Sequence, residues 1–243
     1  MVIAIDGPAG SGKSTIAKLL AQQLKDRAGQ GFTYINSGNL YRAITLGCLQ
    51  VHITPTDSEK VLEFAQKARI SYRGDRVILD GTDVTDSLHT DEIDRWAAPL
   101  SAIVPVRHLV NDIIRGISGG LNAVVEGRDM TTVVFPHAEC RFYLDASAQA
   151  RAQRRFDQGV SQLSLAEIQA AIAQRDEIDR NKAEGSLVIA PGVIYIDTSG
   201  LTINQVYDIL VKKIKQVQGQ NMAQMEVVSS SKDGADTSPV KEG

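Results

Sequence analysis

The chain has 243 residues, of which 43% are hydrophobic and 23% charged, the balance of an ordinary globular protein with one substantial core or two small ones. Its net charge of −3 at pH 7 gives no overall attraction to nucleic acid or to an anionic membrane, and 5% aromatic residues leave few stacking surfaces for single strands. We therefore expect no nucleic-acid partner and no membrane partner. Any anion-binding site must be local.

The cysteines and the N-terminal sequence indicate a reducing compartment. Cys48 and Cys140 stand far apart and outside any metal-ligand pattern, so we expect buried free thiols. The N-terminus lacks the positive region and the small-residue cleavage site of a signal peptide. No apolar run approaches the roughly 20 residues that span a bilayer. We expect a cytoplasmic protein that acts as a monomer.

Short apolar runs recur along the chain, most of them flanked by helix-like segments, and this order predicts an α/β fold with a parallel sheet. The five predicted strands are Val2–Asp6, Thr33–Asn36, Asn122–Glu126, Arg141–Asp145 and Val193–Asp197. Between the second and third strands we predict a helix near 39–50 and then a hairpin over 69–80 that turns at Gly74-Asp75. This region is predicted to be an insertion into the sheet.

The second half of the chain carries two helix-start signals. Ser164 with Glu167, and Thr202 with Gln205, fit the capping box, in which each end of the motif satisfies a free backbone N–H group. They predict helices over about 164–183 and 202–216. The polar segment 218–243 has almost nothing to bury, so we predict a disordered tail.

A phosphate-binding loop follows the first predicted strand. Residues 7–14 match the pattern G-x-x-x-x-G-K-[ST] and lie between that strand and an amphipathic helix, which is the context the chemistry requires. Glycines let backbone N–H groups surround phosphate oxygens, and the helix N-terminus adds partial positive charge. Lys13 would bridge the β- and γ-phosphates of a nucleoside triphosphate, and the Ser14 hydroxyl would complete the shell of a Mg²⁺ ion. The residues predicted to bind the triphosphate are Gly7, Pro8, Ala9, Gly10, Ser11, Gly12, Lys13, Ser14 and Thr15.

Three further segments carry polar side chains that suit a second phosphorylated ligand. Residues 37–42 follow the second strand, where open α/β sheets bind ligands, and Arg42 there is suited to grip a phosphate. Residues 126–129, Glu-Gly-Arg-Asp, end the third strand, where charged side chains need a partner, and Asp129 is suited to accept a hydrogen bond from an exocyclic amine. Residues 175–182 place Arg175, Asp179 and Lys182 on one helix face. The first and third segments also fit ordinary solvated helix surfaces.

Four sequence stretches together resemble the bacterial cytidylate kinases, a family of P-loop nucleoside monophosphate kinases. The stretches IAIDGPAGSGKST, YINSGNLYRA, EGRDMTTVVFP and QRDEIDRNKA occur in the family's order between Ile3 and about Lys215. EGRD followed by TVVFP is the most specific element. The resemblance implies a five-stranded parallel sheet flanked by helices within residues 1–217. It also implies an inserted nucleoside-monophosphate-binding domain over about 37–108 and a helical lid over about 151–183.

The resemblance also implies roles for individual residues, with ATP, CMP and dCMP as ligands and Mg²⁺ bound with ATP. Arg42, Arg128 and Lys182 would hold the CMP phosphate near Ser37 and Tyr41, while Arg175 and Asp179 would bind the ribose. Asp129 and Arg107 would read the cytosine. Arg151, Arg154 and Arg155 match the lid helix that closes over ATP, and the candidate catalytic residues are Lys13, Arg128, Arg154 and Arg155.

Three positions depart from the family pattern. Asn36 stands where an acidic residue is common, and Ala98 replaces a serine that contacts the base, although Ser101 lies one helical turn away. Lys182 replaces an arginine, so a point charge stands in place of a planar fork. These departures bear on how strictly the base is selected.

Two other functions fit parts of the sequence. A P-loop kinase for a different small acceptor would share the phosphate loop, and a panel of acceptors would distinguish it. A nucleotide-regulated binding module would depend on the tail, so deletion of 218–243 would abolish its activity but not that of a kinase. No guanine-recognition motif of the N-K-x-D type is present in the sequence, which argues against a GTPase switch.

Overall fold

The computed structural model describes residues 1–26, 28–159 and 161–232. Five strands form one parallel sheet: β1 (Val2–Asp6), β2 (Thr33–Asn36), β6 (Ala123–Gly127), β7 (Cys140–Asp145) and β8 (Ile194–Asp197). Their order across the sheet is β2-β6-β1-β7-β8. The five predicted strands are confirmed to within one residue at each end. The predicted α/β class is also confirmed.

The sheet is buried on both faces, which is why its strands are continuous apolar runs and not alternating ones. Helices α1 (Lys13–Gln23) and α8 (Ile203–Lys232) cover one face, and α2 (Ser37–Gln50) and α5 (Val104–Ser118) cover the other. Val124 and Val125 of β6 belong to the two opposite cores. Cys48 and Cys140 are buried and free, as predicted.

The strand register aligns the carboxyl ends of three central strands. Asp6 at the end of β1 lies beside Gly127 of β6 and Tyr143 of β7. The first loop, the segment after β6 and the segment after β7 therefore leave the same edge of the sheet, where open parallel sheets bind ligands.

The insertion between β2 and β6 contains the helix and hairpin that the sequence predicts. It comprises α2, α3 (Ser58–Lys67), β3 (Ile70–Arg73), β4 (Arg76–Leu79), β5 (Thr82–Asp83), α4 (Asp91–Leu100) and α5. The β3–β4 hairpin turns at Gly74, whose φ of +64° suits glycine. The third strand, β5, is two exposed residues long, so it has no alternating pattern that would predict it.

Two helices follow β7, namely α6 (Ala148–Asp157) and α7 (Leu165–Arg180). The capping box at Ser164 and Glu167 is present in both directions, with a 2.8 Å hydrogen bond from Ser164 N to Glu167 Oε2. The prediction that α7 extends to 183 is wrong by three residues. Asn181 is the residue that follows the helix, and both its backbone N–H, at 3.1 Å, and its side-chain amide, at 3.0 Å, donate to the Glu177 carbonyl.

Helix α8 begins where the sequence predicts and extends further. Thr202 and Gln205 form the expected cap, with Gln205 Oε1 2.9 Å from Thr202 N. The backbone continues as helix to Lys232, so the structure departs from the prediction of disorder over 218–232. A helix that is already formed adds one hydrogen bond for each further residue, and no proline interrupts this stretch. Residues 233–243 of the predicted tail lie outside the described residues. None of the described helices has both the length and the apolar character to cross a bilayer.

Candidate nucleotide-binding site

A cleft with a cavity volume of about 1060 Å³ opens at the carboxyl edge of the sheet, between the insertion and helices α6 and α7. Small-molecule sites typically have volumes of about 300–1,000 Å³, so this cleft lies slightly above the upper end of that range. The predicted site residues that line it are Ala9, Gly10, Ser11, Gly12, Lys13, Ser14, Thr15, Ser37, Tyr41, Arg42, Arg107, Arg128, Asp129, Arg154, Arg155, Arg175, Asp179 and Lys182. Gly7, Pro8 and Arg151 do not line it.

The loop between β1 and α1 has the geometry of an anion site. Gly12 is the residue before α1, with φ of +91°, and no side chain caps the helix. Gly7 has φ of +148°, and a Cβ there would lie 2.0 Å from the Leu144 carbonyl oxygen. Only glycine fits that approach, and the uncapped helix N-terminus leaves backbone N–H groups for phosphate oxygens.

Lys13 is buried at the base of this loop. Its Nζ donates to the Pro8 carbonyl at 2.7 Å and lies 3.4 Å from Ser11 Oγ. Burial and the neighbouring Arg128 lower the pKa of Lys13 to about 7. A polyphosphate beside this amine would favour its charged form, so the site is arranged to gain a strong interaction when an anion enters.

Two buried carboxylates lie beneath the loop. Asp6 accepts hydrogen bonds from Met130 N at 2.9 Å and from Thr131 N at 2.7 Å, while burial raises its pKa to about 6. Glu126 accepts from the Tyr34 hydroxyl at 2.5 Å. Asp6 therefore fixes the segment after β6 to the start of the phosphate loop.

Oxygen ligands for Mg²⁺ are available at this loop. Ser14 is exposed and lines the cleft, and the buried residue Glu126 lines the same cleft. Within residues 1–26, 28–159 and 161–232, no group of three or more His, Cys, Asp or Glu side chains could hold a metal alone. That donor set fits Mg²⁺ held largely by substrate phosphates and water, which is its usual mode. The oxygen of Asn36 instead accepts from Asn39 N at 3.2 Å.

Asp94 forms ion pairs with three arginines of the cleft, and no sequence motif predicts this role. Its Oδ1 lies 2.9 Å from both Nε and Nη2 of Arg42 and 3.9 Å from Nη1 of Arg175, and its Oδ2 lies 3.1 Å from Nη2 of Arg155. Burial lowers the pKa of Arg175 to about 10, with help from Arg42 and Arg128. Three neighbouring arginines repel one another, so they are stable together only when anions neutralise them. Asp94 is one such anion, and the phosphate of an acceptor would be a second.

Asp179 holds the other two predicted phosphate-binding cations. Arg128 Nε lies 2.7 Å and Lys182 Nζ 2.6 Å from its carboxylate oxygens. Burial raises the pKa of Asp179, but Arg128 and Lys182 outweigh burial and hold it well below the usual value. The structure thus brings the segments after β2, after β6 and at the end of α7 to one wall of the cleft.

Asp129 and Arg107 form a buried ion pair that also lines the cleft, through Oδ2 and Nη2. Arg107 Nη1 also donates to the Ser101 carbonyl at 2.8 Å, and the Arg107 guanidinium lies 5.8 Å from the centre of the Tyr41 ring. The Ser101 hydroxyl donates to the Ala98 carbonyl at 2.8 Å, so its proton is already used within its own helix.

The lid arginines are placed differently from one another. Arg154 Nη1 lies 3.0 Å from Thr198 Oγ1 at the cleft. Arg151 is buried outside the cleft, where it donates to the Ala9 carbonyl at 3.1 Å and pairs with Asp176 at 2.7 Å. Arg151 therefore connects α6 to the phosphate loop, and the structure does not bring it to the position expected for an ATP contact.

Comparison with known proteins places this geometry in a family. The family model described as cytidylate kinase matches residues 3–216. A cytidylate kinase of Caldanaerobacter subterraneus is 41% identical over 220 residues, covering 88% of this chain and 96% of that protein. A cytidylate kinase of Borrelia hermsii is 42% identical over 217 residues, covering 87% and 97%. An uncharacterised protein from Eubacterium ventriosum shares the fold, with a TM-score of 0.50 at 11% identity over 88% of this chain and 98% of that one. The chain belongs to the cytidylate kinase family.

Proposed function

We propose that this protein transfers the γ-phosphate of ATP to CMP and dCMP, producing CDP and dCDP for pyrimidine nucleotide metabolism. One observation carries the proposal: the cleft holds two separate cationic groups. Lys13 and the amino end of α1 form the first, and the arginines and lysine held by Asp94 and Asp179 form the second. A simple ATP hydrolase or a nucleotide switch has no use for a second phosphate subsite.

The reaction needs positioning and charge neutralisation, and no general base. The acceptor phosphate is already anionic at neutral pH, so it attacks the γ-phosphorus of ATP directly, and the β–γ bridging oxygen leaves with the electrons of the broken bond. Lys13, Arg128, Arg154 and Arg155 would neutralise charge on the transferring group. When Mg²⁺ is bound with ATP, it would contribute further charge neutralisation, held on the protein side by the Ser14 hydroxyl.

The acceptor would lie along the second cationic group. Arg42, Arg128 and Lys182 would bind its phosphate, near Ser37 and Tyr41. The Tyr41 hydroxyl supports this placement because it is buried beside the cleft without a hydrogen-bond partner among the described residues. The other two parts of the acceptor nucleotide would then contact the remaining residues. The ribose would lie at Arg175 and Asp179, and the base at Arg107 and Asp129.

Closure of the cleft would protect the transfer from water. The insertion over about 37–108 would bind the nucleoside monophosphate, and the lid over about 151–183 would bring Arg154 and Arg155 onto ATP. Arg155 already reaches across the cleft to Asp94 of α4, so the lid and the insertion are in contact. We propose that the protein works in the cytoplasm as a monomer on small nucleotides, without a nucleic-acid or membrane partner.

A panel of acceptors tests the proposal directly. ADP formation from Mg·ATP would be measured with CMP, dCMP, UMP, AMP and a carboxylated metabolite. We expect the highest kcat/KM for CMP and dCMP. A different acceptor with the highest value would support a P-loop kinase of other specificity and contradict the proposal.

A truncation tests the binding-module alternative. Removing 220–243 keeps Gln218, which contacts Met1 Sδ at 3.3 Å, and the rest of the packed part of α8. Phosphoryl transfer should survive unchanged. Loss of all nucleotide-dependent activity in a folded truncated protein would favour the module.

A further inference from the structure

The loop after α7, residues 181–187, lies directly against the Arg107–Asp129 pair. A Cβ built on Gly185 would lie 1.9 Å from Arg107 Nη2 and 2.4 Å from Asp129 Oδ2. Real Cβ contacts are essentially never shorter than 3.0 Å. The backbone at Gly185 also has φ of +64°, which favours glycine independently of the contact. The absence of a side chain at residue 185 leaves the pair the space that it occupies.

The loop is anchored on both sides of Gly185. Leu187 is buried, and its N–H donates to the Asp179 carbonyl at 2.7 Å. Glu184 Oε2 lies 2.7 Å from Nε2 of His108, the residue next to Arg107 on α5. A side chain at position 185 would therefore have to displace the ion pair or break these anchors.

The ion pair has little room to move elsewhere. Arg107 is 2% exposed, with the Ser101 carbonyl 2.8 Å from Nη1 and the Tyr41 ring beside its guanidinium. Asp129 is 3% exposed, and Arg107 occupies its Oδ2. Asp129 and Arg107 both line the cleft, so the Gly185 backbone packed against them limits where the two side chains can lie.

We propose that Gly185 is a positioning residue for base selection: its backbone holds Arg107 and Asp129 in the orientation that distinguishes cytosine from uracil. The inference rests on the proposed function, in which this pair reads the base. It adds the loop after α7 to the base subsite. Since α7 also carries Arg175 and Asp179, one continuous segment supports both ends of the acceptor nucleoside.

The experiment compares Gly185→Ala with Gly74→Ala. Both glycines have φ of +64°, but a Cβ at Gly74 would meet nothing within 4 Å, so the control carries the same backbone strain without the contact. We expect Gly185→Ala to lower the ratio of kcat/KM for CMP to that for UMP at least about fivefold, since small misplacements of binding groups are costly. Gly74→Ala should leave the ratio unchanged.

An equal loss of kcat/KM for both nucleotides in Gly185→Ala would overturn the inference, because it would mean a structural role without selectivity. An unchanged ratio in a folded variant would overturn it too. If Gly185→Ala does not fold, Glu184→Ala takes its place, because it releases the contact with His108 and should lower the ratio about twofold or more. An unchanged ratio in Glu184→Ala would then count against the inference.

The same measurements in an Asp129→Asn background separate this inference from the proposed function. If Gly185 acts through Asp129, Gly185→Ala should lower the CMP-to-UMP ratio of kcat/KM in the native background. It should leave that ratio unchanged in the Asp129→Asn background, because the residue through which it acts has already been replaced. Equal shifts in both backgrounds would refute that route. If Asp129→Asn shifts the ratio while Gly185→Ala does not, only the inference fails. If neither does, the base-reading part of the proposed function fails with it.

Discussion

Replacing Asp129 with asparagine should largely remove discrimination between CMP and UMP. Asp129 is buried and uses Oδ2 for Arg107, and among the described residues Oδ1 makes no hydrogen bond. Cytosine presents an amino group that can donate to Oδ1, whereas uracil presents a carbonyl oxygen at the same position. With UMP bound, two acceptors would face each other. An asparagine can turn its amide NH₂ group toward that oxygen.

The magnitude follows from the cost of burying an unpaired acceptor. That cost is about 1–3 kcal/mol, and it is larger for a charged group. Since about 1.4 kcal/mol corresponds to a factor of ten in rate, the native protein should favour CMP by at least about tenfold in kcat/KM. Asp129→Asn should lower the ratio by a similar factor. Activity with CMP should also fall, because a neutral amide is a weaker partner for buried Arg107.

The assay is steady-state kinetics with CMP and UMP at saturating Mg·ATP, for the native protein and the variant. Asp208→Asn, on the exposed side of α8, is a matched control and should leave the ratio unchanged. If the native protein has no preference, or if Asp129→Asn leaves the ratio as it was, Asp129 does not read the base.

Four further changes test other parts of the site. Lys13→Ala should abolish phosphoryl transfer while the circular dichroism spectrum stays native, and near-normal turnover would contradict the phosphate-loop assignment. Because burial and Arg128 lower the pKa of Lys13 to about 7, ATP affinity measured by calorimetry should weaken as pH rises through about 7, and a flat profile over pH 6–9 would refute this. Arg154→Ala with Arg155→Ala should lower kcat more than CMP affinity, and the reverse pattern in a CMP titration would show that the lid assignment is wrong. Asp94→Ala leaves its arginines unpaired, which costs about 2 kcal/mol at this partly exposed site and should lower Tm by about 5 °C. Added inorganic phosphate should raise the Tm of the variant by more than it raises the Tm of the native protein, and equal increases would contradict the interpretation of this cluster as an anion site.

The sequence by itself determined the sheet, the phosphate loop and the helix starts, because each depends on neighbours in the chain. Continuous apolar runs specify strands that are buried on both faces, and the glycines of residues 7–12 specify a loop backbone with positive φ angles. Ser164 and Thr202 begin helices through hydrogen bonds to residues three positions away. The strands, the loop and the helix caps depend on residues close together in the chain, so the periodicity and the short motifs of the sequence are enough to predict them.

Only the tertiary structure decided which charges meet in the cleft. Asp94 lies 52 residues from Arg42 and 61 from Arg155, in a helix whose sequence carries no motif, and their contact depends on where the fold places α4 relative to α2 and α6. Arg151 and Arg154 are one helical turn apart, yet one faces the interior behind the phosphate loop and the other faces the cleft. Gly185 gives no sequence signal beyond a turn, because its importance comes from the backbone of one segment approaching a buried ion pair from two others. Such contacts depend on long-range packing, which no local pattern specifies.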